Sequence, residues 1–270
     1  MQRSIRVAFA LAFLAAGAAS SLFSEDPPPI TGTASLAVLN HYIFRGYRFG
    51  GGPVLQPYLT ASFAGFSASV WANIDLKEAA TPNFAPDRDG RASYNETDLS
   101  MNYFFGAGPI GGFAGFVYYG TKYAQNTVEV FAGATVNILG KPTLTVYRDV
   151  KAYPGTYLNL AWTPSIALAK GLSLDLGAST GYYAGGSAYW RTFDPATGRY
   201  TGAPYRAFHD GMVKAGLTVD LGGGWNIQPA LQYYFPLSSA AKRAADAAGG
   251  TVNGPLAGVV VFGVTLVRAF

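Results

Sequence analysis

The sequence predicts an all-β fold: a closed antiparallel transmembrane β-barrel of about twelve strands, preceded by a cleavable signal peptide. Three observations carry this. After Ile30, segments of about ten residues alternate apolar and polar side chains with a period of two, the mark of a two-faced strand. The connections between them are alternately short and long. Finally, half the residues are hydrophobic and only 13% are charged. Yet no stretch after the N-terminus approaches the ~20 consecutive apolar residues of a helical span. The hydrophobicity must therefore lie in the alternation.

The N-terminus, MQRSIRVAFALAFLAAGAASS, sets Arg3 and Arg6 ahead of an apolar run from Val7 to about Ala16. Ala16-Gly17-Ala18 then offers a small-residue cleavage site. This reads as a secretory signal over residues 1–24, cut between 18 and 24, and leaves 25–270 as one barrel domain. The run is too short for a membrane anchor. Losing the two arginines brings the formal charge from +4 to +2, so the basic balance is no argument for a nucleic-acid partner. With no cysteine there is no lipid-anchored cysteine, disulfide or thiolate site, which suits a bacterial envelope protein.

The strands are expected near 33–43, 54–64, 66–75, 96–105, 111–120, 127–137, 142–150, 156–164, 172–183, 209–221, 225–235 and 256–270. TVEVFAGATVN (127–137) sets Val128, Val130, Ala132, Ala134 and Val136 against Thr127, Glu129, Phe131, Gly133, Thr135 and Asn137. LSLDLGAST (172–180), VKAGLTVDL (213–221) and WNIQPALQYYF (225–235) divide in the same way. The first and fifth segments alternate poorly. The last runs to the final residue, with Val260, Phe262, Val264, Leu266 and Phe270 on one face. In a closed barrel that strand pairs with the first and has no free edge.

Connections after strands two, four, six, eight and ten read AG, GAGP, ILGK, PSIALAKG and GGG. The others include long segments around 76–95, 184–207 and 236–254, although KAYPG after strand seven is short. Tight periplasmic turns alternating with longer outer loops are expected of an outer-membrane barrel with its N-terminus inside. A soluble sandwich or lipocalin-like barrel has no reason for that alternation, and needs more outward charge. SSAAKRAADAAGG (238–250) is Ala-rich enough for a short helix, with Gly249 ending it. Leu, Val, Ala and Phe are expected to face lipid, and Ser, Thr, Asn, Gln and Gly the lumen. Tyr118, Tyr119, Tyr182, Tyr183, Tyr233, Tyr234 and Phe235 suit an interfacial girdle.

An apolar terminal strand ending in Phe270 also looks like the C-terminal signal read by the barrel assembly machinery, although Arg268 departs from it and would snorkel to the interface. HYIFRG (41–46), VLQPYLTASF (54–63) and SASVWANIDL (67–76) resemble the TorF-type porin family, whose first strand carries Tyr-x-Phe-Arg-Gly. The matching positions are Tyr42, Phe44, Arg45, Gly46, Gln56, Trp71 and Asp75; Asn40 and His41 replace the Ser-Asp pair that precedes the motif there. The resemblance spans about Thr33 to Phe235. It implies a bacterial outer-membrane barrel acting as a porin, with no catalytic residues to carry over.

No enzyme is expected. A lipid-facing His-x-Ser pair would signal a barrel hydrolase, but His41 is followed at that spacing by Ile43 and His209 by Gly211. PDRDGR (86–91) reads as turn chemistry rather than a calcium loop. No cofactor or metal is implied. Strand parity points Asp75, Glu96, Asp98, Glu129 and Asp149 into the outer half of the lumen, with Arg45, Lys151 and mid-barrel Lys214 as candidate counter-charges. Trp71, Phe104, Phe131 and Tyr147 also point inward and narrow it. The expected role is a porin for passive diffusion of small hydrophilic solutes, with mild cation preference. The competing role is a non-conducting structural or adhesive barrel acting through its outer loops. Outer-membrane lipids, the assembly machinery and small solutes are the expected partners.

Overall fold

The computed structural model describes residues 28–81, 84–106, 108–186, 191–194, 197, 199–246 and 256–270. The signal segment 1–24 and Gly249 lie outside them. Twelve antiparallel strands close into one barrel: β1 Thr31–Leu39, β2 Val54–Phe63, β3 Phe66–Asp75, β4 Ser93–Phe105, β5 Ile110–Thr121, β6 Thr127–Val136, β7 Thr143–Asp149, β8 Gly155–Trp162 continued by Ser165–Ala169, β9 Leu172–Gly185, β10 Arg206–Gly222, β11 Trp225–Pro236 and β12 Val259–Ala269. Each strand pairs with its sequence neighbour, and β12 closes on β1 through a register running from Thr33↔Ala269 to Leu39↔Gly263. The closure leaves neither β1 nor β12 as a free sheet edge, which a bilayer demands.

The outward face is apolar. Leu36, Leu59, Val70, Met101, Phe116, Val130, Leu160, Leu231 and Phe262 are all more than a third exposed. A water-facing barrel would bury these side chains; a lipid-facing one presents them. Their alternates, among them Ser69, Ser100, Thr145 and Gln232, turn inward, where Ser69 and Ser100 hydrogen-bond at 2.6 Å. The barrel is transmembrane, with its polarity reversed relative to a soluble protein.

The short turns gather at one end. Ala64-Gly65 joins β2 to β3 with both residues at positive φ (50° and 85°), the backbone of a two-residue hairpin turn that follows strand twist. Gly106 with Gly108-Pro109, segment 137–142, Lys170-Gly171 and Gly223-Gly224 lie in the other turns at this end. Here too Arg268 lays its guanidinium 5.5 Å from the Trp225 ring, a charge placed against an aromatic at the rim. The opposite end carries the loops, including helix α1 Ser239–Asp246 and a two-stranded ribbon, Arg191–Phe193 with Tyr200–Pro204.

Two expectations need correction. The first strand stops at Leu39, not near 43, and the Tyr-x-Phe-Arg-Gly motif lies beyond it. Ser165–Ala169, expected as connection, pairs with β9 and lengthens β8. Pro164 has no N–H and interrupts the ladder, yet its carbonyl still accepts from Leu176 N at 2.9 Å. The proline marks an irregularity within a strand and not its end.

Candidate functional site

The site is built by the segment that the first strand leaves free. Ile43–Phe44 and Tyr47–Arg48 pair as a small hairpin, turned by Arg45 (φ 48°) and Gly46 (φ 79°). A non-glycine residue with φ above zero is uncommon, and here surrounding contacts hold it. Phe49 N donates to Tyr42 O at 3.0 Å, and Thr81 Oγ1 donates to Arg48 O at 2.8 Å. Gly51 and Gly52 let the chain pass against 77–79: a Cβ on Gly52 would sit 2.0 Å from the Lys77 carbonyl oxygen. The glycine run thus folds the hairpin inward against the wall.

Its tip crosses the lumen. Arg45 donates to both oxygens of Glu129 on β6, at 2.8 and 2.6 Å, with side chains only 9% and 8% exposed. Tyr119 of β5 donates to the same carboxylate at 2.9 Å. The guanidinium also lies over three rings, Tyr157 at 4.3 Å, Phe44 at 4.7 Å and Tyr147 at 4.9 Å. Planarity and a fixed fork let arginine, unlike lysine, do both at once. On the other flank Tyr47, 1% exposed, packs 5.0 Å from His209 of β10, whose Nδ1 meets the Tyr205 hydroxyl at 3.0 Å. Tyr157 donates to Asp210 at 3.0 Å beside them. Tyr47, Tyr157, Tyr183, Tyr205, Ala241 and Leu256 form the buried core of the molecule, inside the barrel at the long-loop end.

Beside the hairpin, a cavity of about 530 Å³ remains, walled by Tyr42, Phe44, Glu96, Tyr119, Glu129 and Tyr157 among others. Of the residues expected to line the lumen, Arg45, Glu96, Glu129 and Asp149 come together here. Tyr42 hydrogen-bonds Glu96 and packs 5.4 Å from Trp71. Asp98, two residues along β4, faces inward with Oδ1 buried and unpaired. Asp149 is committed to its own loop, accepting from Thr127 Oγ1 at 2.7 Å and from the amides of Lys151 and Tyr153. Asp75 stands apart, fully buried behind Gly50, where Asn73 Nδ2 donates to it at 3.0 Å. Lys214 is also apart, at mid-barrel between Gly177 and Gln232, and has no ion-pair partner among the described residues.

Parity placed Phe104, Phe131 and Tyr147 inward, but the sequence reading missed that they belong to one continuous aromatic ribbon. Phe104, Phe113, Phe131, Tyr147, Tyr157 and Tyr183, one from each of β4 to β9, follow one another at centroid separations of 6.0, 6.2, 5.6, 6.2 and 4.8 Å. Tyr119, Tyr183 and Tyr234, expected in the interfacial girdle, face the lumen instead. Successive strand residues point opposite ways, so a Tyr-Tyr pair always supplies one ring to each side. That signal was available.

Among the described residues no three His, Asp or Glu side chains are placed to hold a metal ion. The chain matches no protein-family profile and no curated protein. Similar solved structures include the outer membrane channel from Pseudomonas putida F1 (10% identity, 89% of this chain and 94% of that one, TM-score 0.49). The NanC porin (8%, 89% and 99%, 0.48) and LpxR from Salmonella typhimurium (10%, 88% and 100%, 0.47) are others. The likeness is one of fold. It goes no further than the barrel, which the strand pairing establishes by itself.

Proposed function

We propose that this chain is exported by residues 1–24, inserted in the bacterial outer membrane and acts there as a narrow channel of the TorF porin type, passing small hydrophilic solutes by diffusion. The observation that carries the reading is the hairpin across the lumen with a solvent-sized cavity beside it. A barrel needing only a filled interior has no use for that space. The terminal strand ending in Phe270 would serve as the assembly signal.

Mild cation preference is part of the proposal, with Glu96 and Asp98 as its candidate source. Glu129 is neutralised by Arg45, Asp149 is bound into its own loop, and Asp75 is fully buried behind Gly50, apart from the cavity. Glu96 and Asp98 remain without an ion-pair partner among the described residues, and where they ionise they would make a constriction that selects by sign. Refolded into a planar bilayer under a KCl gradient, the barrel is expected to give steady single-channel current with a cation-signed reversal potential. Glu96→Gln with Asp98→Asn should move that potential toward zero. The same hairpin favours one alternative, a plugged and non-conducting barrel working through its outer loops. Silence from demonstrably folded barrels would establish that alternative and end the channel reading.

A further inference from the structure

The inner wall carries more aromatic surface than a hydrophilic-solute pore requires. Six rings from six consecutive strands make one continuous ribbon, and all but its last two members are accessible: Phe104 is 53% exposed, and Phe113, Phe131 and Tyr147 are partly so. The upper end of the ribbon, Tyr157 and Tyr183, forms part of the cavity wall. Phe104 stands near the short-turn end, just before the β4–β5 turn. The ribbon therefore descends from the cavity toward the opposite mouth.

Charge decides what such a surface would hold. Among the described residues the only basic one lining the cavity is Arg45, and its guanidinium is paired with Glu129. Glu96 and Asp149 add two further carboxyl groups, so three acidic groups face one guanidinium in the lining, and Asp98 lies next to it. Glu96 meets the Tyr42 hydroxyl at the cavity wall, and an ionised carboxylate beside an aromatic ring attracts a cation twice, through charge and through the ring quadrupole. The molecule already shows this chemistry, because Arg45 itself lies over Tyr147 and Tyr157 of the ribbon. At about 530 Å³ the cavity is within the range of small-molecule sites.

We infer that the cavity and the ribbon form a binding path for organic cations with an aromatic or flat apolar body. This rests on the channel reading and names the solute class that channel favours. A plain inorganic cation would use the carboxylates but not the rings. An aromatic anion would use the rings but be repelled at Glu96 and Asp98. A sugar would gain nothing from the net charge.

The probe is benzyltrimethylammonium, titrated by calorimetry into the detergent-refolded barrel. Tetramethylammonium, phenylacetate and glucose are the comparisons. Saturable binding at least tenfold tighter than all three is expected. Glu96→Gln should weaken it about tenfold, and Phe131→Leu, which keeps apolar volume, about fivefold, each in protein shown to be folded by resistance to unfolding in unheated SDS. Equal binding of phenylacetate or glucose, or no effect of Glu96→Gln, would overturn the inference. Bilayer current measured in parallel separates the two readings. Current without binding removes the solute assignment alone, while binding without current removes the channel and leaves the site.

Discussion

Arg45 concentrates the energetics of the lumen in one residue. A guanidinium enclosed by three rings and a carboxylate is stable only while that carboxylate is charged and in place. Glu129→Gln keeps the shape and removes the charge. The cost of breaking a buried pair is about 3–5 kcal/mol, and the hairpin can relieve it by swinging out without unfolding the barrel. Amide exchange at 43–48 is therefore expected to accelerate by about a hundredfold or more, since about 1.4 kcal/mol corresponds to a factor of ten. Arg45→Met combined with Glu129→Leu should recover much of the loss. Unchanged exchange in Glu129→Gln would mean the hairpin is held by Tyr47 and the glycine run instead. The sequence showed Arg45 and Glu129 as inward charges, but their pairing depends on a hairpin that strand periodicity does not reveal.

The strands show how an aromatic ending is used. Phe270 exchanges both backbone hydrogen bonds with Gly32, at 2.8 and 3.0 Å, and its ring lies where a Cβ on Gly32 would sit, 2.5 Å away. The same cross-strand device recurs at Gly112 with Phe105, Gly211 with Phe235 and Gly133 with Phe113. Each ring covers the gap its partner glycine leaves, which pins register. Gly32→Ala is expected to lower seam stability by about 1–3 kcal/mol, because Thr60 O also lies 2.6 Å from the added carbon and backbone cannot step aside. Gly111→Ala, whose Cβ would meet nothing within 4 Å, is the control and should be neutral. Urea titration of the refolded barrel, followed by tryptophan fluorescence, reads both. Equal effects would discard the packing account. Alternation located these strands to within a few residues because one face of each meets lipid. It failed where that constraint lapses, at the Pro164 interruption and after Leu39.

At the scale of the whole molecule, the wall was legible in the sequence and the lumen only in part. Parity assigns each side chain to a face but does not say which inward groups meet across the barrel, since that depends on curvature and on a folded-in loop. HYIFRGYRFGGG carried the needed signal in Arg45-Gly46 and the glycine run, yet its aromatics also read as a continuing strand. The consequence is testable in one construction. In a twelve-stranded ring, β7 lies opposite β1, and the hairpin leaves β1 to reach Glu129 on β6 and Tyr157 on β8. It thus spans the full width of a barrel whose size lies between a filled eight-stranded one and an open sixteen-stranded one. Replacing residues 42–49 by a short Gly-Ser link removes that strut while leaving every barrel strand intact. Single-channel conductance is expected to rise severalfold. Cation preference should fall at the same time, because Glu96 and Asp98 would then border a wider aqueous bore where their field is screened. An unaltered current would place the conduction path elsewhere and deny the hairpin its role as the constriction.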